Sequence, residues 1–314
     1  MPDLILNIFV LVLALVLLGQ SAKWFTLSSQ RVGRALGIPQ FILGVTVVAM
    51  GTSAPELFTS IFASLRDAGS VVSANVLGSN IVNILLGIGL PALFAGSYVF
   101  KKDLVRLELP MLLSVTAILV VTLYDGTFTR GEALLMLGVY AITMLASIRA
   151  KDTLLASVST RVGSWVKMDR RDLFICVGAL ILLLISSKFT VDSLLNLSEL
   201  LRIAPAAMAA TIVALGTSLP EIAVAISAAR QKNYDLALGE VIGSNIFNAT
   251  VVMAVPTLFG ALTVNGSILT LGLPMLIIAT GLLAFSAIER KIFAHEGLLY
   301  VVLFVLFAGK LFTN

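Results

Sequence analysis

The sequence has 314 residues, of which 59% are hydrophobic and only 12% charged, and its mean hydropathy is +1.05. Soluble domains carry about 25% charged residues, so this depletion along the whole length excludes a soluble globular enzyme with one anchor. A formal charge of only +4, with basic residues spaced between apolar runs, excludes a disordered or nucleic-acid-binding chain despite a sequence pI near 9.3.

In chain order, the apolar runs between polar breaks are 4–25, 40–65, 71–99, 105–124, 131–149, 171–193, 204–229, 235–262, 267–287 and 291–312. A membrane-crossing helix needs roughly 20 mostly apolar residues, so an all-α polytopic membrane protein with ten transmembrane helices is expected. Barrel strands alternate apolar and polar residues over ~10 positions, and these runs are too long and continuous for that. The first run reads as a span rather than a cleavable signal peptide, because Asp3 is its only early charge. The lone cysteine, Cys176, leaves no internal disulfide and no Cys-based zinc site.

Lys and Arg set the expected orientation. The connections after the odd-numbered runs hold 16 of the 21 basic residues, leaving Arg66, Arg130, Lys188, Arg202 and Lys310 elsewhere. Positive charge stays cytoplasmic, so both termini are expected outside, extracellular or periplasmic, in a plasma or inner membrane. The stretch 150–170 is a basic, topology-setting cytoplasmic connector, too short for a regulatory domain.

The chain also repeats itself. TVVAMGTSAPE at 46–56 matches TIVALGTSLPE at 211–221, and VLGSNIVN at 76–83 matches VIGSNIFN at 241–248, both at an offset of 165 residues. Two matches at one offset imply two homologous halves, 1–149 and 171–314, each of five helices. Five is odd, so the second half enters from the opposite side. Such inverted repeats are the architecture of many secondary transporters, with binding at the midplane between the halves.

Each matched segment carries expensive groups. Glu56 and Glu221 lie mid-run, where an acidic residue costs on the order of 2.5–3.5 kcal/mol. Lys23 and Lys188 sit near span ends, where they snorkel rather than pair with these acids. Thr52 and Glu56, like Thr217 and Glu221, are four apart on one helical face, with Ser53 and Ser218 three away from the acids. Pro55 and Pro220 leave the carbonyls of Gly51 and Gly216 without their helical partners. Ser79 and Asn83, and Ser244 and Asn248, add neutral oxygens from a second helix of each half. Hard oxygen donors suit Ca2+ or Na+ rather than zinc or copper, and Mg2+ dehydrates reluctantly.

The paired GTSAPE/GTSLPE and GSNIVN/GSNIFN segments resemble the α-repeats of the sodium/calcium exchanger branch of the cation/Ca2+ exchanger superfamily, prokaryotic type, with the repeats at about 44–90 and 209–255. The resemblance implies that Thr52, Ser53, Glu56, Ser79, Asn83, Thr217, Ser218, Glu221, Ser244 and Asn248 bind the ions, joined by backbone carbonyls near Ala49 and Ala214. Proton/calcium exchangers of the superfamily typically carry a GNxxE-type segment, so GTSxPE favours Na+ as the driving ion. Two departures stand out. Asn248 stands where some archaeal relatives have Asp, leaving two central carboxylates. Glu240 stands where relatives usually have Asn, as this chain does at Asn75; its position at a helix entrance reads as solvated, with a third carboxylate near the pathway as the alternative.

The expected function is therefore Na+/Ca2+ antiport by alternating access, with no cofactor, no nucleic acid and no obligate protein partner. The runner-up is a proton-coupled or potassium-dependent Ca2+/cation exchanger. A cation channel ranks lower, because selectivity filters form rings about an oligomer axis, and an enzyme lacks a nucleophile–base pair or an HExxH motif. His295 reads as a packed or interfacial residue, Trp24 and Trp165 as interfacial anchors, and Glu108, Asp125 and Glu132 as solvated span ends.

Overall fold

A 34-residue helix, α1 (Pro2–Ala35), opens the fold of the computed structural model, which describes residues 2–35, 49–95, 97–99, 102–155, 169–232 and 234–313. Residues 40–48 of the second predicted run, most of the 150–170 connector and Trp165 lie outside the described residues. A broken helix follows: α2 (Ala49–Thr52), then α3 (Ala54–Leu65). Next come α4 (Gly69–Ala95), β1 (Ser97–Val99), α5 (Lys102–Leu123), β2 (Thr127–Phe128) and α6 (Arg130–Leu155).

The order then recurs. The second series is α7 (Arg170–Leu201), α8 (Pro205–Thr217, with a π-helical turn at Ala209–Val213) and α9 (Leu219–Arg230). After it come α10 (Tyr234–Phe247), a π-helical turn at Asn248–Val252 and α11 (Met253–Thr257). The series ends with β3 (Leu262–Thr263), α12 (Leu273–Glu289), β4 (Lys291–Phe293) and α13 (Ala294–Thr313). Among the described residues, six helices are long and apolar enough to cross a membrane, or seven if the pair α8 and α9, bent by 45°, is one span.

The helices are layered by burial. The apolar stretch Gly69–Phe94 of α4 is 89% buried, and Leu236–Thr257 is 78% buried, whereas Asp3–Ser29 of α1 is only 22% buried. The outer helices show Ile5, Phe9, Val16, Phe174 and Ile288 to the surroundings, each more than half exposed. Side chains of this kind on long helices belong in lipid. The protein is a multi-pass membrane protein.

Helices α1 and α7 run antiparallel along each other. Arg31 is bonded to Asp172 at 2.9 Å at one end, and the Asn196 amide donates to Asn7 Oδ1 at 3.2 Å at the other. Both helices outrun the predicted 4–25 and 171–193, because each finds a partner along its polar continuation. Ser28 donates to the Trp24 carbonyl at 2.7 Å, Asp169 caps the start of α7 by accepting from the Arg171 N–H at 2.9 Å, and Arg202, in left-handed conformation (φ 56°), ends it.

The expectation of a purely helical chain needs one correction. Three predicted runs, 71–99, 235–262 and 291–312, give up an end to short strands: β1 pairs antiparallel with β4, and β2 with β3. Backbone groups beyond a helix end still need partners, and a reciprocal strand supplies them. The register is Ser97 opposite Phe293 and Tyr98 opposite Ile292; Thr127 lies opposite Thr263 and Phe128 opposite Leu262.

Candidate functional site

Two helix breaks make the site. Ser53 (φ −86°, ψ 11°) separates α2 from α3, and Ser218 (φ −82°, ψ 2°) separates α8 from α9. The cause is local. Pro55 and Pro220 have no N–H to offer the turn before them, so each helix restarts at its own N-terminus, with Glu56 or Glu221 in the first turn. The glycines allow tight packing there: a Cβ on Gly51 would collide with Thr26, and one on Gly216 would come within 2.7 Å of Leu15, both on α1.

The two carboxylates are buried at 0% and 1% exposure and are held crosswise between the halves. Ser53 donates to Glu221 Oε1 at 3.0 Å, and Ser218 donates to Glu56 Oε1 at 3.0 Å. Thr217 and Ser79 also face Glu56. Among the described residues, the ion pairs are peripheral, Arg31–Asp172 and Arg66–Asp192, so no basic side chain is paired with either acid. Two buried negative charges without counter-charge are strongly unfavourable unless a cation joins them.

The remaining oxygens converge on the same layer. Ser79, Asn83, Ser244 and Asn248 are each 0% exposed on α4, α10 and the π-helical turn that follows α10. Both amide ends of Asn83 and of Asn248, and Oε2 of each glutamate, are buried without a hydrogen-bond partner. Each such group costs about 1–3 kcal/mol when left unmet, a penalty that a bound cation relieves for the oxygens among them. The π-helical turn begins at Asn248 itself, and single π turns disrupt the regular backbone ladder where function needs it.

The backbone candidates differ in engagement. The Ala214 carbonyl accepts from the Ser218 N–H at 3.0 Å and from the Thr217 hydroxyl at 3.3 Å, so it ligates only if Thr217 swings away. Ala49 opens α2 and Thr52 closes it.

One pair of residues escaped the sequence reading. Asn80 and Asn245, the third residues of the GSN triplets, are both 1% exposed. The Asn80 amide donates to the Asn245 carbonyl at 3.3 Å, and that of Asn245 donates to the Val241 carbonyl at 2.7 Å, tying α4 to α10. Their signal lay in the doubled triplet, where Ser drew the attention. The expectation of a solvated Glu240 is corrected by the structure. This residue is only 7% exposed, and it accepts hydrogen bonds from Thr52 and from Ser244, the latter at 3.5 Å. The packing of α10 against α2 and α4 covers it.

A cavity of about 670 Å³ reaches this layer from one side. It is lined by α1 from Leu15 to Leu27 and by α9 from Leu219 to Gln231, with Thr52 and Gly216 at its inner wall. On the other side α3 packs on α7, and Arg66 bonds to Asp192 at 2.6 Å. Of the minor expectations, His295 lies exposed in the first turn of α13, stacked on Phe293 at 5.5 Å, and Asp125 and Glu132 cap the turns around Thr127 and Thr129.

Long apolar helices around a buried pair of carboxylates, unpaired with any base among the described residues, fit a membrane ion-transport protein. The comparisons with known proteins narrow the class: the model of the family described as sodium/calcium exchanger protein matches residues 6–149 and 172–312. The chain belongs to that family, whose members exchange cations for Ca2+. It is 30% identical to the sodium/calcium exchanger MaX1 of Methanosarcina acetivorans, over 98% of each chain, and 34% identical to the inner membrane protein YrbG of Escherichia coli over 79% of this chain and 78% of that one. A solved structure of the sodium-calcium exchanger NCX_Mj, soaked with Na+ and Sr2+, superposes with a TM-score of 0.67 at 30% identity, covering 96% of this chain and 98% of that one.

Proposed function

We propose that this protein is a Na+/Ca2+ antiporter of ten transmembrane helices in two inverted five-helix halves, working by alternating access. The observation that carries the reading is the crosswise pair of hydrogen bonds, Ser53 to Glu221 and Ser218 to Glu56, around two buried carboxylates that no basic side chain among the described residues pairs with. Thr52, Ser53, Glu56, Ser79 and Asn83, with Thr217, Ser218, Glu221, Ser244 and Asn248, are the ion ligands, and the carbonyls of Ala49 and Ala214 assist. Two carboxylates balance one Ca2+, and the neutral oxygens help to fill its 6–8 coordination positions.

Pseudo-symmetry supports the inverted arrangement. Adding the 165-residue offset to Ser53 gives Ser218, to Glu56 gives Glu221, and to Asn80 gives the Asn245 it bonds. The same offset turns the pair Ser97–Phe293 into Leu262–Phe128 and the pair Tyr98–Ile292 into Thr263–Thr127, which are the pairs of the other ribbon. The equivalent helices α1 and α7 run antiparallel. A two-fold relation of this kind lets one site face either side.

The cavity breaks that symmetry in the way alternating access requires. Among the described residues, a cavity opens between α1 and α9, whereas their counterparts α7 and α3 pack on each other. The open end carries Lys23 and Gln231, near Arg230 and Lys232, the face assigned to the cytoplasm by its positive charge. The structure is thus read as inward-facing.

The test is uptake of radiolabelled Ca2+ into proteoliposomes under an imposed Na+ gradient and, separately, under a pH gradient. Uptake driven by Na+ alone is expected. Uptake that follows only the pH gradient moves the proton-coupled reading ahead.

A further inference from the structure

We propose that Glu240, with Thr52 and Ser244, forms a separate station for a Na+ ion beside the Glu56–Glu221 pair, on the side from which the cavity enters. The inference rests on the exchanger reading above and adds a third carboxylate to its site.

The two halves disagree at this position, and the disagreement has a structural cause. In the first half Asn75 donates to the Ser60 hydroxyl at 3.2 Å, on α3. At the offset of 165, Ser60 becomes Ala225, which is fully buried and offers Glu240 no hydrogen bond. The longer Glu240 side chain turns instead to Thr52 and Ser244. These two hydroxyls are the counterparts of Thr217 and Ser79, which in the other half face Glu56. Glu240 has therefore taken over hydroxyls that the pseudo-symmetry would point at Glu221, and it lies near enough to Glu221 for their charges to repel.

Position and chemistry fit a monovalent cation. Thr52 touches both the cavity wall and Glu240, so an ion arriving by that route meets this group at the edge of the central layer. Glu240 stands apart from the crosswise Ser53–Glu221 and Ser218–Glu56 contacts and has its own pair of hydroxyls, Thr52 and Ser244. One carboxylate and two hydroxyls provide a single charge and few oxygens, too little for Ca2+, which needs 6–8 ligands, but suited to Na+. Ion pairs among the described residues leave Glu240 without a basic neighbour. Three carboxylates then match three Na+ ions, and the same set holding Ca2+ keeps one negative charge.

The experiment measures equilibrium binding of radiolabelled Na+ and Ca2+ to the purified full-length protein in detergent, in choline buffer. Glu240→Asn is expected to weaken Na+ binding at least about tenfold, since a nearby unit charge is lost, and to remove one Na+ from the saturated stoichiometry. Ca2+ binding should fall by a smaller factor. Glu240→Asp should retain the full Na+ count. The double variant Glu240→Asn with Ala225→Ser recreates the Asn75–Ser60 contact, so it separates loss of folding from loss of the ion. An unchanged Na+ count and affinity in these Asn variants overturns the proposal. Glu56→Gln and Glu221→Gln, measured in parallel, test the underlying reading: if they keep Ca2+ binding, the exchanger site itself is misassigned.

Discussion

At the scale of single residues, the proposed function rests on Glu56 and Glu221. Each is buried, each is bonded to a serine of the opposite half, and among the described residues neither is paired with a base. Glu56→Gln and Glu221→Gln should each abolish Ca2+ flux in proteoliposomes while the protein still elutes as a folded species, because the amide keeps the shape and loses the charge. Near-normal flux in either would remove that residue from the ligand set. Asn83 and Asn248 are proposed as uncharged ligands, so Asn83→Asp or Asn248→Asp should change the Na+/Ca2+ preference and introduce a new pH dependence, read from flux at several pH values. Gly78 tests packing instead: a Cβ there would lie 2.6 Å from the Ala210 Cα. Gly78→Ala should cost about 1–3 kcal/mol, visible as a lowered melting temperature in detergent.

Among the elements, the asymmetry lies between α3–α7 and α1–α9. Arg66 and Asp192 clamp the closed pair, whereas the equivalent positions on the open pair, Gln231 and Leu27, cannot form an ion pair. A partly exposed salt bridge contributes about 0.2–1 kcal/mol. Removing it with Asp192→Asn should therefore shift the balance between open sides by no more than about fivefold. The measurement is thiol labelling of Ser227→Cys, on the cavity wall, in a Cys176→Ser background. Slower labelling in the Asp192→Asn variant is expected, and an unchanged rate would show that packing of α3 on α7 holds the gate without the ion pair. Helices α4 and α13 cross closely at Gly89 and Gly297, where a Cβ on either would press on the other's carbonyl.

For the whole molecule, the proposed inverted topology predicts that the two termini lie on one face of the membrane and the 150–170 connector on the other. Cysteines placed near residues 2 and 313, again in the Cys176→Ser background, should label from outside, and one in the connector only after permeabilisation. A terminus that labels with the connector would break the ten-span reading. Exchange of three Na+ for one Ca2+, the stoichiometry implied by the family resemblance, moves one net charge per cycle. Each charge is worth about 2.3 kcal/mol per 100 mV, so Ca2+ extrusion measured at imposed potentials should steepen as the interior becomes negative.

Much of this architecture was legible in the sequence because its signals are local or repeated. Apolar run length reports the helices, and Pro55 and Pro220 report the breaks that free backbone at the site. The 165-residue offset paired residues such as Ser53 and Ser218 before any contact was known. What the sequence could not reveal is which groups meet across the halves. Whether Ser53 bonds Glu56 beside it or Glu221 opposite depends on how α3 and α9 cross, and the fold chose Glu221. The strands at 97–99 and 291–293 were likewise hidden, since each exists only because its distant partner satisfies its backbone. Glu240 shows the limit most clearly. Its position at a helix entrance reads as solvated, but burial is set by the helices packed over it, and the missing hydroxyl at Ala225 turned its carboxylate toward Thr52 and Ser244. Sequence determined the doubled motifs and their oxygens; only tertiary packing decided which oxygens meet and from which side a cavity reaches them.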